Sequence, residues 1–80
     1  ARYFGAAVRQ NRVLLRLSQD ELAERSSLDR TYISGIERGR RNPSLAVMQR
    51  VADALGVGLD VLFANAREIA AQQHSKRGDD

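Results

Sequence analysis

Eighty residues with 42% hydrophobic side chains supply one small core. A chain of this size buries only about 60% of its unfolded surface, so pairing with a second copy would add stability. The absence of cysteine excludes a disulfide frame and a thiolate metal site and fits a reducing cytoplasm, the expected location. No apolar run approaches the roughly 18 residues of a membrane-spanning helix. The net charge of +3 is unevenly spread: acids gather at Asp20, Glu21 and Glu24, whereas Arg30, Arg38, Arg40, Arg41 and Arg50 face the single acid Glu37 between positions 30 and 50.

The apolar residues recur at helical spacing along the whole chain, and no strand pattern survives. Phe4, Val8 and Leu15 define one face of a first helix that ends near Leu15 or Arg16. Ser18 is placed to cap a second helix, with Glu21 three residues later completing a capping box. Leu22 and Ala23 form its apolar stripe, it runs to about Arg25, and Ser26, Ser27 and Leu28 make a turn. Asp29 caps a third helix that buries Ile33 and Ile36 and ends at Gly39, a residue suited to a left-handed C-terminal cap.

After a polar loop from Arg40 to Pro43, Ser44 caps a fourth helix with Leu45, Met48, Val51, Ala52 and Leu55 inward and Gly56 as its stop. A fifth helix follows Gly58, with Leu59, Leu62, Phe63 and Ala66 on one side and Ile69 and Ala70 extending it. From Gln72 the chain turns polar, and its end is expected to fray. The reading is an all-α, compact five-helix domain over residues 1–71 with a polar tail over 72–80.

Two short helices joined by a tight turn and followed by an arginine-rich loop form the layout of a helix-turn-helix, which lays its second helix in the DNA major groove. Twelve of the 13 basic residues are arginine, the better fork for phosphates and guanine edges, although a solvated charged face would carry the same counts. On the outward side of the third helix, Arg30 can bridge guanine O6 and N7, and Thr31 offers a hydroxyl and a methyl to a thymine edge. Ser34 suits a smaller contact, and Gly35 would let the helix backbone approach the bases. Arg38, Arg40, Arg41 and Asn42 should run beside the sugar-phosphate backbone. Tyr32 either reaches a phosphate or covers the edge of the core.

The stretch LSQDELAERSSLDRTYISGIERGRRNPSL, with VADALGV and VLF after it, resembles the lambda-repressor/Cro-type (XRE) helix-turn-helix family over roughly Phe4 to Phe63. Within that family, LDRTYISGIERGRRN is similar to the controller proteins of restriction-modification systems. The resemblance implies a lambda-repressor-like fold and a transcriptional regulator that binds double-stranded DNA. It also implies that Gln19 holds a backbone phosphate, that Arg12 pairs internally with Glu37, and that RNA polymerase is a further partner. Arg16 stands where the family frequently has glycine; at a left-handed position arginine costs about 1 kcal/mol.

One such domain touches a single half-site, so a palindromic operator calls for a homodimer. The fifth helix is the expected interface, with Val57, Val61, Leu62 and Ile69 toward the partner and Phe63 in the core. An enzyme is not indicated: His74, the only histidine, lies in the polar tail, and Gly56 to Gly58 lacks the spacing of a phosphate loop. No cofactor, metal or small-molecule ligand is indicated either. The competing reading is a helix-turn-helix module that binds other proteins in a larger assembly, without specific DNA readout.

Overall fold

The structure, a computed structural model, describes residues 2–78, with side chains described through residue 73. Among the described residues there are five helices and no strand: α1 (Arg2–Leu14), α2 (Gln19–Ser26), α3 (Arg30–Glu37), α4 (Leu45–Leu55) and α5 (Leu59–Gly78). The order and the all-α class follow the sequence pattern.

Three of the helix starts are capped as the side chains dictate. Ser18 accepts from the Glu21 amide, and the Glu21 carboxylate returns a bond to the Ser18 amide, closing the capping box. Asp29 accepts from the Thr31 amide and Ser44 from the Val47 amide. Each satisfies an amide that the first helical turn leaves without a partner.

The first four helices end by one device. Arg16, Ser27, Gly39 and Gly56 all have left-handed backbone, with φ of 59°, 56°, 73° and 70°. In each case the next amide reaches back five residues, from Leu17 to Arg12, Leu28 to Ala23, Arg40 to Gly35 and Val57 to Ala52. This is the Schellman motif, whose last residue is usually apolar and folds onto the helix it closes. Leu17, Leu28 and Val57 do so. After α3 that place belongs to the exposed Arg40, and the chain returns to the interior only at the buried Pro43.

The core joins Phe4, Ala7 and Val8 of α1 to Leu22 and Ala23 of α2, Ile33 and Ile36 of α3, Val51, Ala52 and Leu55 of α4, and Leu62 of α5. Full burial of an isoleucine or leucine contributes about 1.5–3 kcal/mol, so this cluster dominates the folding energy. Gly5 lies where α1 crosses α3: a β-carbon there would collide with the Ile36 carbonyl oxygen. Only glycine permits that approach.

Several expectations change. Leu62, assigned to a partner surface, is fully enclosed in the core and has no surface to offer. Phe63, expected inside, is 42% exposed, because it sits about 100° around α5 from Leu62; its ring meets Phe4 at a tilt of 54°, with 5.9 Å between centroids. Leu15 and Leu45 are exposed. The first falls in the turn beyond α1, where Leu17 takes over the packing, and the second is in the opening turn of α4, ahead of the residues that reach the core. Helix α5 continues through 72–78 rather than ending before that segment. Adding a residue to a formed helix needs little help, and Ala, Gln, Lys and Arg are good helix formers. Residues 79 and 80 lie outside the described part.

Candidate nucleic-acid interface

A clasp beneath α3 fixes the orientation of the whole face. Arg12 of α1 donates from Nε to Glu37 Oε2 at 2.7 Å and from Nη2 to Oε1 at 3.0 Å, while its Nη1 meets the Leu17 carbonyl at 2.8 Å. Gln19 of α2 adds a bond from Nε2 to Glu37 Oε1 at 3.2 Å. The Arg12 and Glu37 side chains are 12% and 3% exposed, so the last residue of α3 is tied to two other helices in a largely dry setting. The hydrogen bond to Glu37 raises the Arg12 pKa above its ordinary value, against an opposing effect of burial. The internal pairing of Arg12 and Glu37 is therefore realised, with Gln19 as its third member.

Above the clasp, Ile33 and Ile36 point into the core and leave Arg30, Thr31 and Ser34 on the outer side of α3. Thr31 is exposed and Ser34 half-buried. Arg30 is 63% exposed, and its Nε lies 3.3 Å from Asp20 Oδ1 of α2. The sequence reading counted Asp20 only as part of an acidic cluster. One signal was available: a helix-turn-helix brings the opening turns of its two helices side by side.

The arginine loop is not simply solvated. The amides of Arg40 and Arg41 both bond to the Gly35 carbonyl, at 2.9 and 3.2 Å, which pins the loop to α3. The Arg41 stem crosses Gly35 so closely that a β-carbon there would lie 2.6 Å from Arg41 Cγ. Its guanidinium then rests over the Tyr32 ring, 5.5 Å from the centroid. This corrects the reading of Gly35 as an open approach to bases: the space beside it is filled by the chain's own arginine. Tyr32 is half-buried, packs against the core and supports Arg41, so it does cover the core edge. Arg38, Arg40, Arg41 and Asn42 are all exposed on this side. Arg50 is different: it donates three bonds to the carbonyls of Ser26 and Ser27 and closes the end of α2.

Of the residues assigned to a partner face, Val57 and Ile69 are half-buried against the core and Val61 is 43% exposed. Val13 and Leu14 at the end of α1 are exposed too, which the helical spacing did not single out. No described helix is long and apolar enough to cross a membrane.

The sequence profile of the helix-turn-helix family matches residues 8–62. Control protein C.BamHI of Bacillus amyloliquefaciens is 51% identical over 55 residues, which are 68% of this chain and 68% of that protein. An uncharacterised HTH-type transcriptional regulator of Mycobacterium tuberculosis (strain CDC 1551 / Oshkosh) is 36% identical over 75 residues, 94% of this chain but 54% of the relative. The chain thus spans about half the length of that protein. Among solved structures, the restriction-modification controller protein C.Esp1396I, a tetramer in complex with its natural 35 base-pair operator, matches with a TM-score of 0.77. Its identity is 33%, over 82% of this chain and 87% of that one.

Proposed function

The chain belongs to the XRE-type helix-turn-helix family of transcriptional regulators, and from that premise we propose that it binds a palindromic operator as a homodimer. The observation that carries this reading is the outer side of α3. Arg30 and Thr31 stand clear of the core there, on a helix clasped at its other end by Arg12 and Glu37, beside a loop of exposed arginines. Arg30 and Thr31, with a smaller contribution from Ser34, read base edges. Gln19, Arg38, Arg40, Arg41 and Asn42 hold the backbone and set register.

Val57, Val61 and Ile69 meet a second copy, which places two recognition helices about 34 Å apart. Residues 1–71 carry the DNA-binding unit. The likeness to controller proteins supports action in the cytoplasm on the chain's own promoter and on a neighbouring restriction gene, with RNA polymerase as the further partner. The role is binding, not catalysis.

Selection of duplexes from a random pool at moderate salt tests this directly. A palindromic consensus is the expected result, and recovery of no preferred sequence would favour a protein-binding module. Arg30→Ala should relax preference at one position in each half-site. Arg41→Ala should weaken binding to all duplexes alike and flatten the salt dependence by about one unit of log–log slope.

A further inference from the structure

We propose that Asp20 is a specificity-determining residue that aims Arg30 at its base. The proposal rests on the base-reading role of Arg30. Its starting point is the contact between Asp20 Oδ1 and Arg30 Nε at 3.3 Å, made by two side chains that are 76% and 63% exposed.

Folding accounts for only part of this carboxylate, which in the first turn of α2 meets the helix dipole at about 0.3–1 kcal/mol. Ion pairs this exposed contribute at most about 1 kcal/mol to stability. Helix α2 is capped by Ser18 and Glu21 and helix α3 by Asp29, so Asp20 closes neither helix. On an edge that faces phosphates a negative charge opposes every duplex equally. What Asp20 does have within reach is the residue best placed to read a guanine.

The contact runs through Nε, and that choice of atom matters. An unrestrained arginine has several rotatable bonds and meets phosphates as readily as bases. With Nε the atom nearest the carboxylate, the two Nη groups remain as donors for a base. Those two donors make the fork that matches guanine O6 and N7. Arg30 is also the first residue of α3, where the helix dipole disfavours a cation, and the Asp20 carboxylate offsets that cost. Asp20 thus exchanges some affinity for all DNA against a narrower set of Arg30 orientations.

The test uses the duplex selected by the wild-type chain, a panel changed at each base pair in turn, and a random duplex. Binding is measured for wild type, Arg30→Ala, Asp20→Asn, Asp20→Glu and the Arg30→Ala/Asp20→Asn double variant. Asp20→Asn should lower the preference at the position sensed by Arg30 about two- to fivefold, leave the other positions unchanged, and tighten binding to the random duplex. Asp20→Glu should keep most of that preference, and the double variant should discriminate no less than Arg30→Ala alone. An unchanged preference in Asp20→Asn, or an equal loss at all positions, overturns the proposal while Arg30 remains a base reader. An unchanged preference in Arg30→Ala overturns the base-reading assignment itself, and this inference with it.

Discussion

Helices α3 and α5 use their residues very differently. Each face of the eight-residue α3 has a structural partner or a place on the surface: Ile33 and Ile36 are enclosed, Glu37 is clasped, Gly35 seats an arginine, and Arg30 and Thr31 look outward. Helix α5 is 20 residues long, yet Leu62 is its one fully enclosed side chain among the described residues. The contrast separates two design problems. A helix that reads a sequence must be fixed in three dimensions, because a small rotation moves every donor. A helix that only braces a core needs one deep anchor and can leave the rest of its surface loosely specified.

Truncations give the largest test of that contrast. Ile33→Ala should cost about 4 kcal/mol, and in a domain this small that can unfold the chain; Ile69→Ala, on the half-buried side of α5, should cost less than about 1.5 kcal/mol. Urea titration of both variants checks the difference, and equal losses would dissolve the distinction between the helices.

The clasp comes next. Glu37→Ala leaves the Arg12 guanidinium without its partner in a nearly dry site and should cost about 3 kcal/mol. Adding Arg12→Ala to that variant should cost much less than Arg12→Ala alone costs the wild type, so a double-mutant cycle should return a large coupling. An additive result would show that α3 is held by its isoleucines alone.

A smaller effect should appear at the left-handed turn before α2. Arg16→Gly relieves a backbone conformation disfavoured for side chains and should raise stability by about 0.5–1 kcal/mol in thermal melts.

The smallest effect concerns the α2 capping box. The hydrogen bond from the Ser18 backbone amide holds the Glu21 carboxyl below its usual pKa. The folded state therefore keeps Glu21 ionised more readily than the unfolded chain does. Its stabilising effect is present above the ordinary carboxylate pKa and disappears as pH falls through the lowered one. Glu21→Gln should thus lose less stability than wild type between pH 7 and pH 3, measured by urea midpoints.

Local signals made most of the fold legible. Ser18 with Glu21, Asp29, Ser44, Gly39 and Gly56 each declare a helix end through chemistry confined to one turn, and the structure uses all of them. Arg16 was legible as a left-handed residue only through family likeness, because it stands where the family frequently has glycine. Long-range choices were less legible. Helical spacing marks Leu62 and Phe63 alike as apolar, but which of two neighbours faces inward depends on where α1 lies. Leu15 and Leu45 fit a stripe whose ends reach past the core.

For the candidate site, the clasp between Arg12 and Glu37 was legible through family likeness, because their 25-residue separation hides it from local pattern. Gly35 was rightly seen as a point of close approach, but its neighbour is Arg41. Distances between loops are not written in spacing. Arg50 counted only toward the basic segment, whereas its donors go to the end of α2.

The meeting of Gly5 with the Ile36 carbonyl has a genetic consequence. The height of the reading helix above its support is set on a different helix, at a residue that touches neither solvent nor duplex. A substitution there would lift α3 like a shim under a lens. In a genetic screen it would score as a loss of operator recognition, and a search confined to the DNA-facing surface would never find its cause.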